Sequence, residues 1–169
     1  MAGIFSFKCS SCDEIHEGSP SFGYRFPDHY ASLSDEQRAS ENVRAESDFC
    51  QINDDYFIRV CLDIPIVGVE NPFVWGVWIS LSKENFFSYW DAFNEPDASE
   101  TYVGWLCNRL SFYPETRGLK TMATTLTDGN RPTLSVEETD HPLAIDFRYG
   151  ITIARAQEIA EVTMHGAKT

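Results

Sequence analysis

The sequence predicts an α+β fold with a mainly antiparallel sheet, flanking helices and a zinc-knuckle-like N-terminus, in a single domain over residues 1–169. Three observations carry this. Residues 55–64 alternate inward and outward side chains at period two, as a half-buried strand does. Residues 73–81 follow after a connection too short for a parallel crossover, so the two strands pair antiparallel. Capped helical runs then come after strands and between strands rather than in strict βαβ alternation, which favours α+β over a doubly wound sheet.

Taken in order, residues 4–9 alternate apolar and polar and read as a short strand leading into Cys9-Ser-Ser-Cys12-Asp-Glu-Ile-His16. Gly18-Ser-Pro20 and Phe26-Pro27-Asp28 punctuate an irregular segment. Ser34-Asp-Glu-Gln37 has the form of a capping box and opens a polar helix expected to reach Glu46. In 55–64, Tyr56, Ile58, Val60, Leu62 and Ile64 share one face. Pro65 ends that strand and 68–72 form a turn. Residues 73–81 are apolar on nearly both faces, as in a strand covered on each side. Ser82 caps a helix over 83–94, with Phe86, Phe87, Tyr89, Trp90 and Phe93 at helical spacing. Residues 102–110, 119–126 and 133–136 read as further strands. Asp140 as N-cap, with Pro142 just inside, opens a short helix. Thr152 caps a last helix over 153–164, with Ile153, Ala156, Ile159, Ala160 and Val162 inward.

Composition bounds the function. The 169-residue chain is 43% hydrophobic and 14% aromatic, enough for a sizeable core. Twenty-six acidic against 13 basic side chains give a formal charge of −13. That field repels phosphate backbones and anionic lipid, so no nucleic-acid or membrane partner is expected. A basic or effector-like protein partner fits its sign. The N-terminus lacks a secretory signal, no run is long enough for a membrane helix, and the cysteines number five. Cytoplasm is the expected compartment.

Cys9 and Cys12 are spaced to turn two sulfurs toward one point, half of a tetrahedral zinc site, and His16 can add a third ligand. Residues 1–20 are therefore a metal-knuckle segment. Cys50 and His141 are the candidates for the fourth place, ahead of His29, Cys61 and Cys107. A redox pair and plain reduced thiols are the alternatives, although no helix start follows Cys9 to lower its pKa. Thiolate-rich ligation near a terminus, without a His-Glu-x-x-His pattern, reads as structural rather than catalytic zinc. Asp140-His141-Pro142 is either an acid–base pair or a helix cap, the cap being preferred. No nucleophile elbow or phosphate-binding glycine loop occurs. Trp75, Trp78, Trp90 and Trp105 are read as core.

Phe7-Lys-Cys9-Ser-Ser-Cys12 with His16-Glu17-Gly18, Ser47-Asp48-Phe49-Cys50 and Phe73-Val-Trp-Gly-Val-Trp78-Ile-Ser-Leu-Ser82 recur in one family. So do Gly104-Trp105-Leu106, Gly118-Leu119-Lys120-Thr121, Arg131-Pro132 and Thr139-Asp140-His141-Pro142-Leu143-Ala144. Over nearly its full length the chain resembles the uncharacterised bacterial family DUF2199. The resemblance implies one domain and a bacterial source, and brings no mechanism. Where the family favours Gly after the second Cys, this chain has Asp13. A knuckle takes positive φ there, which Asp tolerates better than most residues.

Two functions remain. One is a small acidic binding protein acting by protein–protein contact, immunity- or inhibitor-like, with a structural zinc; its contact surface would be 35–55, with 91–100 as a second patch. The other is a metal- or His-dependent enzyme on a small substrate.

Overall fold

A computed structural model describes residues 5–94 and 99–166. The elements are β1 (Ser6–Lys8), β2 (Ile15–Glu17), β3 (Ser21–Gly23), α1 (Asp28–Ala31), α2 (Asp35–Arg38), β4 (Val43–Ala45), β5 (Phe49–Ile52), β6 (Asp55–Ile64) and β7 (Phe73–Leu81). They continue with α3 (Lys83–Ala92), β8 (Thr101–Leu106), β9 (Lys120–Thr124), β10 (Thr133–Val136), α4 (Pro142–Tyr149) and α5 (Ile153–His165).

β6 and β7 have the predicted bounds and pair antiparallel from Tyr56–Leu81 to Ile64–Phe73. This pairing puts the alternating face of β6 and the odd-numbered face of β7 on one side. Ile58, Val60, Leu62, Ile64, Phe73, Trp75, Val77 and Ile79 are all fully buried there. From β7 the chain meanders through β8, β9 and β10, each antiparallel to the last. β10 then meets β6 in parallel at Thr133–Cys61, closing a five-stranded barrel. The parallel seam follows from arithmetic: an up-and-down meander of odd strand number brings its first and last strands together pointing the same way. Closure leaves those five strands without a free edge among themselves.

The outer side of β6–β7 carries a second cluster, Cys50, Ile52, Phe57, Trp78 and Cys107, so β7 is covered on both faces as its composition requires. Helix α3 packs on β6 and β7 near the Tyr56–Leu81 end. Helix α4 packs on β6 and β10. Ile151, between α4 and α5, bridges to Ile66 beyond the other end of β6. Gly150, at φ 77, lets the chain turn there, with Pro65 O only 2.9 Å from where a Cβ would lie.

Several expectations are corrected. The capping box at Ser34 forms with both hydrogen bonds, yet α2 has only 4 residues. Val43 and Ala45, two apart, turn instead toward the second cluster as β4; period two prevails because that cluster needs covering. Residues 35–55 therefore supply buried Phe49, Cys50 and Ile52 and are not merely surface. The strand read over 102–110 stops at Leu106, where buried Asn108 takes over: its Oδ1 accepts from Trp78 N at 2.8 Å and its Nδ2 donates to Phe26 O and Asp28 Oδ1. Of the four tryptophans, Trp75 and Trp78 are core, but Trp90 and Trp105 are each 44% exposed. Ile153 faces solvent, while Ala156, Ile159 and Ala160 turn inward as predicted. Residues 95–98 of the second acidic patch lie outside the described residues, as does Ile4 of the first strand. Among the described residues no helix is long and apolar enough to cross a membrane.

Candidate metal centre

The site is built from the hairpin β1–β2 and the far end of the chain. Phe5, Phe7 and Cys9 point inward at period two and are buried, which seats Cys9 against the core. The turn closes on itself: Cys9 N donates to Glu14 O at 2.8 Å and Asp13 N to Cys9 O at 3.1 Å. Asp13 takes φ 60, the left-handed conformation often found after the second cysteine of a knuckle. Ser11 N points at Cys9 Sγ, 3.4 Å away. On β2, His16 lies opposite Phe7, and its Nε2 is 3.4 Å from Cys12 Sγ.

Helix α5 brings the fourth group. Ser10 N and Oγ both donate to Glu161 at 2.9 Å, and Gln157 Nε2 donates to Lys8 O. These contacts hold the last turn of α5 over the knuckle, where the helix ends in His165. The ligand atoms of Cys9, Cys12, His16 and His165 all lie within 4.8 Å of one another, close enough to hold a metal ion.

The two thiols are electrostatically unequal. Burial opposes ionisation of Cys9, but the Ser11 and Cys12 amides and the Cys12 thiol outweigh it and lower its pKa. The Glu14 amide favours a Cys12 thiolate, yet lost solvation and the neighbouring Cys9 sulfur push Cys12 up.

The sequence matches the family described as uncharacterized protein conserved in bacteria, DUF2199, over residues 8–151. The chain belongs to this family. The matched residues include Cys9, Cys12, His16, Cys50 and His141 and end before α5, so His165 lies beyond them. No curated protein and no solved structure matches the chain.

Cys50 and His141, expected to compete for the fourth place, lie elsewhere. Cys50 belongs to β5 and sits in the second cluster, where burial pushes its thiol up to about 12 and keeps it neutral. His141, not Asp140, is the N-cap of α4: its Nδ1 accepts from Leu143 N at 3.1 Å. That fixes the proton on Nε2, which donates to Glu115 O at 3.0 Å. Both ring nitrogens are thus engaged in holding α4 and the loop after β8. His29 stacks near Phe57, and Cys107 is buried with Cys50. The residue that sequence reasoning missed is His165. Its signal was only that it is one of four histidines and stands at the C-terminal end of a well-capped helix.

Proposed function

We propose that this DUF2199 protein carries one structural zinc ion on Cys9, Cys12, His16 and His165 and acts by stoichiometric contact with a basic protein, as inhibitors and immunity proteins do. Zinc suits the donor set: two thiolates and two imidazoles are a common tetrahedral combination. With Zn–S of about 2.3 Å and Zn–N of about 2.0 Å, a tetrahedron has S···N edges of about 3.5 Å. The Cys12–His16 separation of 3.4 Å fits that edge. Four protein ligands leave no open position for a reactive water, which favours structure over catalysis. The ion would staple the N-terminal hairpin to the C-terminal helix. A reducing cytoplasm keeps such thiols available.

The observation that carries the binding reading is the outer face of α3. Phe87, Trp90 and Phe93 are 42%, 44% and 38% exposed in a row along one helix. Phe87 and Trp90 border β4 and β5 in a groove shared with Arg44, Glu46 and Gln51. Exposed aromatics grouped beside polar residues are the usual anchors of a protein interface. Exposed Glu41, Glu46, Asp54 and Asp55 from the adjoining stretch add negative charge. A basic surface complements both this charge and the net −13 of the chain. The enzyme reading is weaker because His141, its general acid–base candidate, already spends both ring nitrogens on backbone groups.

The test is to isolate partners from the native bacterium with the tagged, zinc-loaded protein and to measure association with the purified partner. Trp90→Ala should slow or abolish binding, and Asp54→Lys with Asp55→Lys should cut the association rate severalfold at low salt. A partner whose binding ignores both changes, or a repeated failure to capture any partner, would refute the reading.

A further inference from the structure

On the opposite flank of β6 lies a cavity of about 480 Å³ lined by Arg25, Phe26, Tyr30, Ala45, Glu46, Ser47 and Arg59. Arg59 stands on the outer face of β6 across from Trp78, its guanidinium 6.0 Å from that ring. Gly23 on β3 leaves it room: a Cβ there would come within 3.3 Å of Arg59 Nη2. Arg59 Nε is buried and has no hydrogen-bond partner. Among the described residues neither Arg59 nor Arg25 makes an ion pair. Asp48, whose charge acts on Arg59, is already taken by Arg131 Nε at 2.7 Å. Burial, and then the proximity of Arg131, depress the pKa of Arg59 despite the pull of Asp48.

Carboxylates outnumber cations two to one in this chain, yet among the described residues none pairs with Arg59; Arg38 Nε is likewise buried without a partner but does not line this cavity. A buried guanidinium donor left unmade costs about 1–3 kcal/mol or more. A planar guanidinium fork fits a carboxylate or a phosphate through paired N–H donors. Arg25, exposed and held over the Phe26 ring at 5.2 Å, supplies a second set of donors at the mouth, and Ser47 a hydroxyl. Glu46 also lines the cavity and pairs with neither arginine.

We propose that this cavity binds a small oxyanion, the carboxylate or phosphate group of a low-molecular-weight ligand, with Arg59 as the principal donor and Arg25 as the second. The site stands apart from the metal centre and does not depend on it. Net repulsion from −13 does not prevent this, because screening confines surface fields to about 8 Å at physiological salt.

The experiment is calorimetric titration of the full chain with inorganic phosphate and with succinate, against sodium chloride of equal ionic strength. Saturable binding of at least one probe is expected, weakened tenfold or more by both Arg59→Gln and Arg25→Gln. Arg25 is exposed, so R25Q keeps its fold and remains informative if R59Q does not. Binding of neither probe to the unaltered protein, or an unchanged affinity in R25Q, overturns the proposal.

Discussion

His165→Ala offers the sharpest test of the metal centre, because the effect of this change should depend on zinc. Cys9, Cys12 and His16 lie within one short turn-and-strand segment and can hold zinc even in an unfolded chain. His165 cannot join them there: closing a loop of about 150 residues costs about 5 kcal/mol by the chain-entropy relation. Only the folded protein, which holds α5 over the knuckle through Ser10, Glu161 and Gln157, offers the fourth bond at no further entropic cost. A Cys/His zinc site releases about 10–16 kcal/mol in total, so an even share for one ligand is about 2.5–4 kcal/mol. In zinc, His165→Ala should therefore destabilise the fold by about 3 kcal/mol, or about 6–12 °C in Tm for a chain of this length. With excess chelator the same change should cost less than about 0.5 kcal/mol, since His165 is an exposed helix-terminal residue. The assay is urea unfolding of both proteins, with zinc and with chelator, read as a thermodynamic cycle. Equal costs in the two conditions, or no cost in zinc, would refute the stapling argument.

Three further outcomes follow from particular contacts. Gly104→Ala places a Cβ 2.6 Å from Ser80 O and 2.8 Å from Ile79 Cδ1, so β7 and β8 must spread; a loss of about 1–3 kcal/mol in thermal or urea unfolding is expected. In the native, metal-stripped protein at pH 8, exposed Cys12 should react with a thiol reagent ahead of buried Cys50 and Cys107, and added zinc should protect it. Cys50 and Cys107, with thiols raised by burial to about 12 and about 11, should react only on unfolding, which mass spectrometry of the labelled peptides would read. Hydrogen bonds from Arg117 lower Glu115 from 4.5 to about 2, so its contribution to stability is present above pH 4.5 and is lost as pH falls toward 2. Glu115→Gln should flatten that part of the urea-midpoint profile between pH 2 and 5, and an unchanged slope would contradict the pairing.

By itself the sequence determined what contiguous residues control. The alternation of Tyr56, Ile58, Val60, Leu62 and Ile64, broken by Pro65, set β6 to the residue, and the apolar run before Ser82 did the same for β7. Ser82 and Thr152 cap their helices by accepting from Asn85 N and Arg155 N, because a hydroxyl three residues ahead of an orphan amide needs only local geometry. The Cys9–Cys12–His16 knuckle, including the left-handed Asp13, was legible for the same reason.

Tertiary structure decided whatever depends on the path of the whole chain. Strands of 3 residues such as β2, β3 and β4 are too short for a period to register, and they exist because neighbours leave open edges for them to pair with. The barrel seam at Thr133–Cys61 depends on how far the meander curls. Trp90 and Trp105 carry the same apolar surface as Trp75 and Trp78, and only their position on the barrel's outside leaves them exposed. His141 looked like a ligand or a base because a cap with a protonated Nε2 needs Glu115 O, which a distant loop delivers. His165 comes within reach of Cys9, Cys12 and His16 for a similar reason: only the docking of α5 on the N-terminal hairpin brings these distant parts of the chain together.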